Sequence, residues 1–112
     1  MKKTLVTMLL AASFLMPATL RAENWKGVPM IDSNCQAKFE GKPDEHTVGC
    51  ALQCANGGYG IVVDKAFIRF DDQGNTLALK ALKATKKKDA IRVTVDGKLV
   101  DGTIHVSKLA ID

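Results

Sequence analysis

The chain has 112 residues, 46% of them hydrophobic, with 16 Lys and Arg against 12 Asp and Glu and a formal net charge of +4. That length supports one domain with a small core and excludes a multidomain architecture. Three cysteines, Cys35, Cys50 and Cys54, are an odd number and cannot all pair within one chain.

The first 22 residues read MKKTLVTMLLAASFLMPATLRA. Lys2 and Lys3 give a charged start, Leu5 to Met16 form an apolar run broken by Thr7 and Ser13, and Ala22 closes the segment with a small residue. This is the order of a cleavable secretory signal peptide. The apolar run is about 12 residues, short of the roughly 20 that span a bilayer. The expectation is cleavage near Ala22, a mature domain of residues 23–112, no stable membrane anchor, and a periplasmic or secreted address. Lys2, Lys3 and Arg21 would leave with the signal, so 13 basic residues would face 12 acidic ones. Near-neutrality of the mature part argues against a nucleic-acid partner.

Trp25 to Ile31 reads as a strand ending at Asp32-Ser33-Asn34. Gly41, Lys42 and Pro43 mark a loop. Asp44 is placed to cap a short helix over Glu45 to Ala55, stopped by Gly57-Gly58. Tyr59 to Val63 and Ala66 to Phe70 are strand candidates joined by a tight Asp64-Lys65 turn, and Asp71 to Asn75 is a turn cluster. A helix follows, capped by Asn75 or Thr76, with Leu77, Ala78, Ala81, Leu82 and Thr85 on one face. Ile91, Val93 and Val95 alternate along a strand from Ala90 to Val95, Asp96-Gly97 is a turn signal, and Thr103 to Ile111 is the last strand.

The expected fold is therefore mainly β with one or two helices. Five strands remain when the insert at about residues 33–58 is set aside, with a helix between the third and fourth strands and a short helical insert after the first. That is the order of a five-stranded oligonucleotide/oligosaccharide-binding (OB) barrel. The C-terminal half, IRVTVDGKLVDG followed by TIHVSKLAI, resembles small exported bacterial OB-fold (BOF-like) proteins, in which a V-x-V-x-G strand is followed by an I-x-V strand that closes the barrel. The resemblance spans Tyr59 to Ile111 and implies a fold. It implies no functional residue, and the cysteine-bearing insert departs from it.

The chemistry concentrates in that insert, at Cys35, His46, Cys50 and Cys54. Three sulfurs and one imidazole can form a tetrahedral set for Zn²⁺ or a partial set for Cu⁺. Spacings of four and four place His46, Cys50 and Cys54 on one helix face. Eight residues of straight helix rise about 12 Å, too far for metal bonds of about 2.0–2.3 Å. One ion would thus require the helix to break, with Gly49 the candidate position, or would use only two of the three. The alternative is a disulfide of Cys35 with Cys50 or Cys54, worth roughly 3 kcal/mol for a loop of about 15–20 residues. A third reading is a thiol-dependent redox protein in which His46 activates Cys50. No orienting Asn or Asp and no C-x-x-C motif supports it, and a non-enzymatic binding protein for a metal ion or small ligand is expected.

Other features have local explanations. Lys80, Lys83, Lys86, Lys87 and Lys88 suit a solvated helix face and C-terminus. Asp71-Asp72 and Asp44-Glu45 sit at turn or cap positions. His105 falls out of phase with Ile104 and Val106 and is expected at the surface. The GGYG run lacks the strand–helix context of a phosphate loop.

Overall fold

The computed structural model describes residues 22–112. The signal-peptide expectation falls almost wholly on residues 1–21, outside the described residues. Among the described residues no helix is long and apolar enough to cross a membrane.

Five strands and two helices carry the fold: β1 (Glu23–Asp32), α1 (Val48–Gln53), β2 (Tyr59–Val63), β3 (Ala66–Phe70), α2 (Asp72–Ala84), β4 (Arg92–Val100) and β5 (Thr103–Ile111). The strands close on themselves in the order β1-β2-β3-β5-β4. Every neighbouring pair is antiparallel except β3 with β5, where Arg69 faces Thr103 and Phe70 faces Ile104. The closing contacts are short: β1 meets β2 over Met30, Ile31 and Asp32, and β5 meets β3 over Thr103 and Ile104.

Period-2 alternation fills the interior. Val93 and Val95 from β4, and Ile104 and Val106 from β5, are fully or almost fully buried against Met30, Ile61 and Phe70. Helix α2 presents Gly74, Ala78 and Leu82, spaced four apart on one face. Gly74 is small by necessity, since a Cβ there would come within 2.6 Å of Val106 Cγ2 and 2.7 Å of Phe70 Cβ. The lysines at positions 80, 83, 86, 87 and 88 are exposed, as their solvated-face reading expected.

Four boundaries differ from the sequence expectation. First, α2 starts at Asp72, so the Asp71–Asn75 turn cluster is its cap and first turn: Asp71 Oδ1 accepts from Gly74 N at 2.9 Å. Second, Asp96-Gly97 is no turn. Strand β4 runs on to Val100, with a bulge between Asp96 and Gly97. The glycine serves close approach, since a Cβ on Gly97 would lie 2.5 Å from the His105 carbonyl oxygen. The reversal comes at Asp101-Gly102, with φ of 51° and 81°. That Asp-Gly pair has the positive φ values of a two-residue hairpin turn, and Asp64-Lys65 does the same between β2 and β3. Third, the first strand extends beyond the expected bounds at both ends. Fourth, the single helix expected over Glu45 to Ala55 divides into a 3-10 turn at Pro43–Glu45, α1, and a 3-10 turn at Ala55–Gly57.

Asp71 ties α2 to the barrel. The same Oδ1 that caps the helix also accepts from Val106 N at 3.1 Å, and Asp71 N donates to the Ile104 carbonyl at 2.9 Å. Replacing Asp71 by Ala should lower stability by about 2–3 kcal/mol, the sum of a lost cap and a lost carboxylate hydrogen bond. Asp71→Asn should lose less than half of that, because it keeps an acceptor oxygen. Urea denaturation of the three proteins measures the difference.

Candidate metal centre

Alternation along β1 sends Met30 into the core, and two residues later it sends Asp32 to the same side. Asp32 therefore ends the strand with a fully buried carboxyl group. Such a group needs partners, and it has two. Oδ2 accepts from Cys35 N at 3.1 Å, capping the 3-10 turn Ser33–Cys35. Oδ1 lies 2.7 Å from His46 Nε2, and the imidazole is also fully buried.

His46 reaches this position because it is not on a helix. Thr47 caps α1, its hydroxyl accepting from Cys50 N at 3.0 Å. His46 precedes the cap in extended conformation, with φ −74° and ψ 134°. The 12 Å objection to a helical His46–Cys50–Cys54 stripe therefore does not arise, and the break falls before the helix rather than at Gly49. The Phe39 ring packs edge-on against the imidazole, centroids 5.0 Å apart.

The insert is held from its far side as well. Val48 N donates to the Lys88 carbonyl at 2.8 Å and Ala90 N to the Asp44 carbonyl at 3.1 Å. The Arg92 guanidinium grips Asp44 with two bonds of 3.1 and 2.8 Å and donates a third, of 3.0 Å, to the Gly27 carbonyl. Asp44 is thus an anchor and not the helix cap expected of it.

Among the described residues, Asp32, Cys35 and His46 form a group whose ligand atoms all lie within 4.8 Å of one another, close enough to hold one metal ion. Two of the four sequence candidates, Cys35 and His46, are brought together there. Cys54 lies outside the group but near enough to Cys35 to help hold its thiol protonated. Cys50 lies outside it, half-buried on α1, and all three cysteines are free thiols. Asp32 was read from sequence only as part of a turn. No local pattern marks it, since Met30, Ile31 and Asp32 are all buried at the end of β1 whatever their phase.

The electrostatics of the pocket are one-sided. Burial, the Asp32 carboxylate and the neighbouring Cys54 push the Cys35 thiol up to about 11. Burial, Asp32 and Cys54 likewise push the Tyr59 hydroxyl up to about 12, while it donates to the Ala51 carbonyl at 2.8 Å. Groups that resist becoming anions beside one another are the groups a cation would relieve. A neutral thiol is a weak nucleophile, so Cys35 lacks the depressed pKa of a reactive cysteine. Among the described residues, Nδ1 of His46 is a buried side-chain nitrogen without a hydrogen-bond partner. Buried nitrogens are rarely left so. A ligating histidine that donates its other N–H to a carboxylate has this arrangement.

His105, expected at the surface, is exposed, 3.5 Å from Asp71 Oδ2. Beside the centre, a cleft of about 370 Å³ is lined by residues including Ile31, Phe39, Pro43, Val62, Lys65 and Phe67.

The Asp44–Arg92 pair gives the insert a pH signature. Hydrogen bonding to Arg92 holds the Asp44 carboxyl below its ordinary value of 3.8. A carboxyl depressed in the folded state stabilises the fold above its unfolded-state pKa, and that contribution is lost as pH falls through the folded-state value. Asp44→Asn should therefore be less stable than the parent at pH 7 by about 0.5 kcal/mol, a half-exposed pair being solvent-screened. The gap should close as the pH falls below 3.8. Denaturation midpoints of both proteins from pH 7 to pH 2 check this.

No protein-family model matches the chain, and no curated protein and no solved structure matches it. The assignment of a role therefore rests on the geometry of the site.

Proposed function

We propose that this chain is a small exported OB-like domain that binds one borderline-soft metal ion, Zn²⁺ foremost, at Asp32, Cys35 and His46. The observation that carries the reading is the convergence of carboxyl, thiol and imidazole within 4.8 Å around a buried histidine whose Nδ1 has no partner. A set that mixes oxygen, nitrogen and sulfur suits Zn²⁺ better than Cu⁺, which favours sulfur more strongly. Asp32 serves in one of two ways, as an oxygen ligand or as the carboxylate that orients the imidazole. The strand order β1-β2-β3-β5-β4, with α2 between β3 and β4, supports the OB-like part of the reading. The N-terminal sequence pattern supports export to the periplasm or beyond the cell. The role is binding, as carrier, sensor or structural closure, and not catalysis.

A second reading has one observation behind it. The cleft walled by Phe39 and Phe67 is large enough for a small apolar ligand, and Lys65 at its rim would suit an acidic group on that ligand.

Reduced, chelator-treated protein should take up one Zn²⁺ per chain by calorimetry or elemental analysis. Cys35→Ser is the decisive variant because Cys35 is only half-buried and its loss leaves the Asp32–His46 pair in place. It should weaken binding by about 100-fold or more, Asp32→Asn by about 10–100-fold, and Cys50→Ser not measurably. Absence of uptake, or loss of uptake on changing Cys50 alone, overturns the assignment.

A further inference from the structure

The segment carrying Cys35 is stitched to the segment carrying Cys54. Ser33 N donates to the Gly58 carbonyl at 2.9 Å, and the Ser33 hydroxyl donates to the Gly57 carbonyl. Asn34 fills the space over Gly57, where a Cβ would come within 2.8 Å of its amide nitrogen. Cys54 flanks the same 3-10 turn, its carbonyl accepting from Gly57 N at 3.2 Å. Two 3-10 turns, one beginning at Ser33 and one ending at Gly57, are thereby held face to face. That junction sets Cys35 and Cys54 on adjoining turns, and Cys54 is near enough to help hold the Cys35 thiol protonated. Cys50 has no place in it: its backbone is committed to the Thr47 cap and the first turn of α1. Side chains four apart on a helix point the same way, which disfavours a Cys50–Cys54 bond.

We propose that Cys35 and Cys54 are a thiol–disulfide pair that gates the metal centre. In the reduced state Cys54 joins Cys35, His46 and Asp32 as the fourth donor to the ion. In the oxidised state the Cys35–Cys54 bond takes both sulfurs out of the donor set, and the ion leaves. The oxidant is a small disulfide such as oxidised glutathione. One thiol, as its thiolate, attacks a sulfur of that disulfide and displaces one glutathione thiol. The second thiol then attacks the mixed disulfide and displaces the other. The balance is two protein thiols and one disulfide giving one protein disulfide and two free thiols. This rests on the metal reading of the site, and it also accounts for the odd cysteine, since Cys50 is the thiol that neither state uses.

The test uses the full chain, reduced and stripped by a chelator, with Zn²⁺ alone as the probe. Zn²⁺ uptake is measured before oxidation, after treatment with oxidised glutathione, and after re-reduction. The bond is mapped by proteolysis and mass spectrometry, with fragmentation between Cys50 and Cys54 to assign the partner. The expected result is a Cys35–Cys54 link, a fall in Zn²⁺ affinity of at least about 100-fold on oxidation, and recovery on reduction, all repeated in Cys50→Ser. A bond made through Cys50, no bond at all, or Zn²⁺ binding undiminished by oxidation overturns the gating while leaving the metal site standing. Failure of the reduced chain to take up Zn²⁺ overturns both, whichever bond forms.

Discussion

The site depends on a single buried contact, the 2.7 Å pairing of Asp32 with His46. One partner ends β1 and the other sits 14 residues on, in a part of the insert with little regular structure. Neither group has access to water. Removing charged or polar groups from water costs several kcal/mol each, and such a pair stabilises only when the remaining hydrogen-bonding capacity is met. Asp32 meets it through Cys35 N. His46 does not meet it at Nδ1. The pair therefore fixes where the insert lies, and it leaves one buried ring nitrogen without a hydrogen-bond partner.

The barrel makes that pairing possible by bringing distant segments together. Register between β1 and β2 sets Asp32 opposite Tyr59. Tyr59 in turn reaches back through its hydroxyl to the Ala51 carbonyl on α1. The insert is thus held at its base by the barrel and at its outer side by Asp44 on Arg92 and by the bridge between Thr47 and Asp89. An insert of this length with a helix of only six residues has little stability of its own. Its order comes from these attachments, and the relative placement of Cys35, His46 and Cys54 comes with it.

The same arrangement decides which chemistry the thiols favour. Cys35 and Tyr59 share the causes that raise them: burial first, then Asp32, then Cys54. With no cation, burial and the Asp32 carboxylate favour the protonated forms of Cys35 and Tyr59. With a divalent cation the preference reverses, because the ion's charge exceeds that of any neighbouring side chain. Metal occupancy and thiol chemistry are therefore two sides of one electrostatic constraint.

The sequence by itself determined the strand and helix content, because alternation at Val93, Val95, Ile104 and Val106 and the fourfold spacing of Ala78 and Leu82 are local patterns set by backbone geometry. It also showed that all three cysteines and His46 fall in the insert. It misplaced the turn at Asp96-Gly97 because a glycine demanded by close approach of β5 looks the same in one dimension as a glycine demanded by a turn. It placed His46 on a helix because a spacing of four is helical unless a cap intervenes, and Thr47 intervenes. Only the tertiary structure brought in Asp32 and separated Cys50 from Cys35 and His46. Ligand sets are defined by distances of a few ångströms between segments far apart in the chain, and those distances are fixed by register, bulges and burial that no local pattern encodes.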